Sequence, residues 1–274
     1  MQMGRIIMDY AARYGLEFNP FLKNSKEVLV ETQEYKETLF RLNYLLSAKG
    51  FGLLTGSAGR GKTTAIRSWA SGLNPSLYKV VYSSLSTLTV QDFYRNLASE
   101  LGAQPAFRKT DNFKIIQNEV TRLALEKRQT PIIIIDEANY ISNAVLNDLK
   151  MLFNFEMDSR DWAIVLLVGL PQLNSTFRLS MHEPFRQRIV MNYNLEGMNK
   201  IEGHDYITAK LKGAGYTQTV FEENALEAIL NAANGTPFMI NKLCNASLLI
   251  GNSSNLNIIT ADAVMQAIND CELG

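Results

Sequence analysis

The chain has 274 residues, 46% of them apolar, which is enough for a substantial core and predicts one large domain with a smaller one. Its 27 basic residues balance 27 acidic ones, so no overall basic field draws it to nucleic acid, and any such contact must come from a local patch. Two cysteines, Cys244 and Cys271, are too few for a disulfide scaffold and lack metal-ligand spacing, which fits a reducing cytoplasm.

The first residues, "MQMGRIIMDYAAR", carry two arginines but no apolar core of signal-peptide length, and read as an ordinary leader. Four nearly continuous apolar segments follow, "FGLLT" (51–55), "YKVVYSS" (78–84), "PIIIID" (131–136) and "WAIVLLVG" (162–169). Unbroken rather than alternating apolar character suits strands buried on both faces of a parallel sheet. Between and after them lie the helix-period stretches "KTTAIRSWAS", "TVQDFYRNLASELG", "DNFKIIQNEVTRLALEKR" and "SNAVLNDLKMLFNFEM". Strand and helix in alternation predict right-handed crossovers and an α/β architecture, with a fifth strand at "RIVMNYNL" (188–195). Beyond Glu196 the strand signal fades, and four helical stretches follow, the last opened by Thr260 as an N-cap. The longest strongly apolar run, 163–170, is far below the roughly 18 residues of a membrane span.

Between the first strand and the first helix of this series stands Gly56-Ser57-Ala58-Gly59-Arg60-Gly61-Lys62-Thr63, which fits G-x-x-x-x-G-K-[ST] and is followed by Thr64. Glycines let successive backbone N–H groups curl around an anion, and the helix N-terminus adds its dipole. Lys62 would reach the β- and γ-phosphates of a nucleotide and the Thr63 hydroxyl would ligate Mg²⁺. A bare glycine turn is the plain alternative, but the pattern and both flanks agree with the phosphate loop. Downstream, "PIIIIDEAN" ends a strand in Asp136-Glu137. Asp136 can hold the metal through water, and Glu137 can polarise an attacking water. His182 and His204 stand apart from other ligand types and are given no catalytic or metal role.

Taken together, "YGLEFNPF" (14–21), "KGFGLLTGSAGRGKTT", "IIIIDEAN", "LLVGLPQL", "HEPFRQRIVMNYNL" and "GTPFMINKL" resemble the ExeA-type AAA+ ATPases. More narrowly they resemble the small members that accompany transposases, relatives of MuB and TnsC. The resemblance implies an α/β AAA+ P-loop NTPase: a leader and family-specific segment (1–30), a parallel five-stranded nucleotide-binding core (31–196) and a helical lid (197–274). Phe18, Pro20 and Phe21 would anchor the family-specific segment on the ATPase core. ATP and Mg²⁺ are the implied cofactors, and double-stranded DNA, a transposase and further copies of the chain, in a ring or helical filament, the implied partners. An arginine entering the neighbouring subunit's ATP site is implied in "HEPFRQRIV", with Arg188 the first choice and Arg186 the second.

Two positions depart from the family pattern. Leu170 stands where a polar sensor-one residue usually follows a glycine, so that role is either missing or passed to Gln172. Phe238 stands where "GxPR" relatives carry the sensor-two arginine; Lys242, one helical turn on, is a solvated lysine on the plainer reading and a partial substitute on the other, and slow hydrolysis or a lid that closes weakly on nucleotide is the implied consequence. By the same resemblance, "SSLSTLTVQDF" and "AFRKTDNFKII" would meet a DNA backbone through Thr89, Gln91, Lys109 and Thr110, with Arg108 and Lys114 nearby. Six basic residues against three acidic ones between Arg108 and Arg128 agree with a local patch. The competing readings are a secretion or envelope-assembly ATPase, which predicts a membrane or wall-binding segment that this sequence does not display, and a nucleotide-sensing scaffold with little turnover.

Overall fold

The computed structural model describes residues 10–83, 88–155, 159–216 and 218–271. They divide into two compact units: Glu37–Glu196, and the residues up to Lys36 together with those from Gly197 onward.

In the first unit, strands β1 (Gly50–Gly56), β2 (Tyr78–Ser83), β3 (Thr130–Ile135), β4 (Ile164–Gly169) and β5 (Ile189–Leu195) form one sheet in the order β2-β3-β4-β1-β5. Every pairing is parallel, as the unbroken apolar runs require. Residues Ile132 to Ile135 are almost wholly buried because alternate side chains enter two different cores. One face packs on α1 (Gln33–Ala48) and α2 (Lys62–Gly72), through Leu42, Leu45, Ile66 and Trp69. The other packs on α3 (Val90–Glu100), α4 (Lys109–Leu125), α5 (Asn143–Leu152), α6 (Gln172–Arg178) and α7 (Glu183–Arg186). Parallel register brings all five carboxyl ends to one edge, with Thr55 opposite Gly169 and Gly56 opposite Leu195. A ligand is held at that edge in open α/β sheets.

Helix α5 is shorter than the periodicity of "SNAVLNDLKMLFNFEM" predicts. It starts at the Ser142 N-cap, whose Oγ accepts from Val145 N, and stops at Leu152, with Phe153 as its C-cap. Phe153 and Phe155 then turn into the core beside Phe51. Their rings satisfy the apolar period without extending the helix. The end of that stretch, Glu156 and Met157, lies outside the described residues.

The second unit contains α8 (Lys200–Gly213), α9 (Glu223–Ala233), α10 (Pro237–Ser253) and α11 (Ala261–Cys271). Asn199 and Glu202 close a capping box at the start of α8, and Pro237 opens α10 where its missing N–H costs nothing. Residues 10–30 do not join the sheet's cores as expected of anchors on the ATPase core. Tyr14, Leu16 and Phe21 are buried in the apolar cluster of the four helices, with Ile240, Leu243, Cys244 and Leu248. Gly251 explains the fit of Tyr14, since a Cβ there would stand 2.6 Å from the tyrosine hydroxyl. Polar bonds fix the segment further: Asn19 Nδ2 donates to Tyr10 Oη and to Asn245 Oδ1, both at 2.8 Å. Buried Lys210 donates to the carbonyl of Pro20 at 3.4 Å and lies over the Tyr206 ring. Burial lowers the Lys210 pKa, with Glu27 opposing the shift.

Candidate nucleotide site

Gly59 (φ 76°) and Gly61 (φ 92°) adopt left-handed backbone that L-residues rarely take, which turns the chain from β1 into α2 within five residues of Gly56. A Cβ on Gly61 would meet nothing within 4 Å, so its backbone lies open to a ligand. Lys62 is the first residue of α2, and its Nζ donates to the carbonyls of Gly56 (2.6 Å) and Ser57 (3.1 Å). Its ammonium thus curls over the loop, where partial burial lowers its pKa while Glu137 and Asp136 oppose that shift. Ser57, Ala58 and Thr63 are exposed; Gly59, Arg60, Gly61, Lys62 and Thr64 are half-buried along the same turn.

Asp136 closes β3 and is buried, and each of its oxygens is engaged. Oδ1 accepts from Glu137 N at 2.9 Å; Oδ2 accepts from the Thr63 hydroxyl at 3.1 Å and from the Tyr82 hydroxyl at 2.6 Å. Thr63 and Asp136 are 73 positions apart in sequence, and the parallel sheet brings them together. A hydroxyl and a carboxylate in contact beside a glycine-rich turn suit a hard divalent cation such as Mg²⁺. Tyr82, at the end of β2, went unnoticed in the sequence, where a strand-terminal tyrosine gives no sign of facing a carboxylate. Burial, then its bond to Asp136, raises the tyrosine pKa and keeps it a donor. Glu137 is exposed and takes left-handed backbone (φ 53°), the kind of strain that clusters at functional sites.

Asn174 also escaped notice. Its Nδ2 donates at 2.7 Å to Thr55, whose hydroxyl donates at 2.9 Å to Asn194 Oδ1, tying α6, β1 and β5 together next to Gly56. Gln172, by contrast, is exposed at the first turn of α6.

The two arginines before β5 differ. Arg188 Nη1 donates to the Lys150 carbonyl (2.6 Å) and Nη2 to that of Phe153 (2.9 Å), at the C-terminus of α5. Its guanidinium lies over the Phe51 ring and 3.6 Å from Asp161 Oδ1, with the side chain only 13% exposed. Within this chain its guanidinium is thus engaged on α5 and Phe51. Arg186, at the end of α7, is exposed. In the helical unit, Phe238 is 63% exposed in the first turn of α10, and Lys242 Nζ is turned to the Cys271 carbonyl at 3.0 Å.

Of the residues assigned to DNA, three have internal work. Thr89 caps α3 and exchanges bonds with Asp92, Gln91 Nε2 donates to the Phe107 carbonyl (2.7 Å), and Lys109 pairs with Asp148 (2.6 Å) over the Tyr94 ring. Arg108, Thr110 and Lys114 are exposed at the start of α4. The Gln91 bond brings the first turn of α3 beside that patch. Residues 84–87 of "SSLSTLTVQDF" lie outside the described residues. His182 is buried against Asn143, and among the described residues no group of three or more His, Cys, Asp or Glu is gathered for a metal. Nor is any described helix long and apolar enough to cross a membrane.

Residues 45–177 match the family model for the AAA domain, over the segment that carries the phosphate loop and Asp136-Glu137. The fold is that of an AAA+ P-loop NTPase. General secretion pathway protein A of Aeromonas hydrophila is 30% identical over 247 residues, 88% of this chain and 44% of that protein. The chain thus spans less than half the length of that relative. Among solved structures, Cdc6p from Pyrobaculum aerophilum aligns with a TM-score of 0.72 at 14% identity, over 93% of this chain and 71% of that one. The Aeropyrum pernix ORC1 protein in complex with DNA aligns with a TM-score of 0.66 at 16% identity, over 92% and 68%. Likeness at these identities concerns the fold alone.

Proposed function

We propose that this chain is an ATP-dependent AAA+ ATPase that binds double-stranded DNA with little sequence preference, assembles on it, and regulates transposition by guiding or activating a transposase. The observation that carries the nucleotide half is the contact of Thr63 with Asp136 beside the glycine turn. Backbone amides from Gly56 to Thr63 would grip the phosphates, and Lys62 would exchange its two carbonyl partners for β- and γ-phosphate oxygens. Thr63 and Asp136 would hold Mg²⁺, which when bound neutralises charge on those oxygens. Glu137 would orient the attacking water, and Arg186 from a neighbouring copy would meet charge developing on the transferred phosphoryl group. With Phe238 unable to donate, hydrolysis is slow and the ATP-bound assembly persists, which suits a switch.

The exposed trio Arg108, Thr110 and Lys114 supports the DNA half, because such side chains bind phosphate without reading sequence. A few contacts per copy, repeated along one duplex, add up to useful and salt-sensitive affinity. The experiment is fluorescence anisotropy of labelled duplex DNA titrated with protein, with ATP, with ADP, and with Lys62→Ala. Binding that needs ATP and vanishes in Lys62→Ala is the expected result; equal binding in every arm refutes the reading.

The similarity to General secretion pathway protein A favours a second reading, the ATPase part of a secretion or envelope-assembly machine. In that case ATP turnover persists and duplex DNA neither binds nor stimulates it. A nucleotide-sensing scaffold, motivated by Phe238 and Leu170, would bind ATP without repeated phosphate release.

A further inference from the structure

At the end of β4, where the family pattern would place a polar side chain against the nucleotide, Leu170 offers only an apolar one. The space beside it is filled from the turn that follows the neighbouring strand β3. A Cβ on Gly169 would stand 2.9 Å from Asn139 Oδ1 and 3.2 Å from Asn139 N, so a glycine at 169 is what admits the Asn139 amide. Asn139 reaches this place because Glu137 reverses the chain after β3 and residues Ala138–Tyr140 form one 3₁₀ turn across the strand ends. Register fixes where that is: Gly169 pairs with Thr55, one residue before the phosphate loop begins at Gly56.

The amide's orientation is determined as well. Leu170 N donates to Asn139 Oδ1 at 3.2 Å, and the reverse orientation would set an NH₂ against an N–H. The NH₂ group therefore faces away from Leu170, and it has no hydrogen-bond partner among the described residues. A half-buried donor held by its own oxygen, three residues past Asp136 and beside the phosphate loop, is a preorganised anion contact.

We infer that Asn139 supplies, from the third position after Asp136, the hydrogen-bond donor that Leu170 cannot, directed at the terminal phosphate of the bound nucleotide. The inference rests on the nucleotide reading above and makes Asn139 the group that tells ATP from ADP. Gln172, the substitute suggested by sequence, is not required for this.

Asn139→Asp tests it. The aspartate keeps an acceptor for Leu170 N and nearly the same shape, but replaces the donor with a charged acceptor. Fluorescent ATP and ADP analogues titrated with Mg²⁺ give two affinities, and phosphate release gives turnover. The expected outcome is ATP affinity reduced about tenfold or more with ADP affinity within about twofold, turnover reduced about a hundredfold, and an unchanged melting temperature. Asn139→Ala serves as the second variant: it loses the same ATP preference, and a lowered melting temperature in it reports the lost Leu170 bond separately. A wild-type ATP-to-ADP ratio in Asn139→Asp overturns the inference and leaves the phosphate-loop reading standing. Wild-type protein that binds neither nucleotide overturns both.

Discussion

Replacing Arg188 by alanine separates a structural arginine from a catalytic one. The guanidinium gives two charge-assisted hydrogen bonds, at 2.6 and 2.9 Å, to the carbonyls of Lys150 and Phe153, which no following turn of α5 can satisfy. Bonds of this kind contribute about 1.5–3 kcal/mol each. Contact with the Phe51 ring adds about 0.5–1 kcal/mol, and the longer pairing with Asp161, itself 42% exposed, adds little. Water recovers part of the loss once the side chain is gone, so the net destabilisation is about 3–5 kcal/mol. At about 2–4 °C per kcal/mol for a domain of this size, Tm falls by roughly 10 °C. Urea unfolding followed by circular dichroism reads the first quantity, and differential scanning fluorimetry the second. Turnover per folded molecule, measured well below the new Tm, stays close to wild type. A variant as stable as wild type, yet unable to hydrolyse ATP when assembled, would show that Arg188 serves a neighbour's nucleotide and that its capping of α5 is incidental.

Arg186→Ala has the opposite profile: stability within about 0.5 kcal/mol of wild type, as for an exposed side chain, and turnover of the assembled protein reduced about a thousandfold. Adding Lys62→Ala subunits, which keep Arg186 but lack the phosphate lysine, restores part of that turnover; failure to do so argues against an arginine shared between copies. On DNA, Arg108→Ala and Lys114→Ala each weaken binding evenly across sequences and flatten the slope of log affinity against log salt by about one. Lys109→Ala lowers stability instead, because that ammonium already pairs with Asp148.

Sequence alone discloses the features in which spacing is chemistry. The phosphate loop, the acidic pair closing β3 and the continuous strands need neighbours only a few residues away, and all can be read along the chain. What stays hidden depends on which distant groups the sheet brings together. Tyr82 against Asp136, Asn174 against Thr55 and the Arg188 clamp on α5 each join residues between 35 and 119 positions apart. Helix α1 is obscured for another reason: Phe40 and Tyr44 lie exposed on its outer side, so apolar residues appear on both faces and the 3.6-residue period blurs. For residues 10–30 the apolar pattern indicates burial but not in which core, since aromatic anchors suit a helical cluster as well as a sheet.

That last feature governs how the protein is made. Tyr14, Leu16 and Phe21 are synthesised more than 200 residues ahead of Leu243, Cys244 and Leu248, with which they share a core. At roughly 5–20 residues per second, the aromatic segment remains without its packing partners for on the order of ten to fifty seconds. Throughout that interval three large apolar side chains must be kept from inappropriate association, while the intervening α/β unit has time to fold by itself. A fragment starting after residue 30 would give up part of the helical unit's interior, with Tyr14, Leu16 and Phe21 gone from beside Leu243, Cys244 and Leu248.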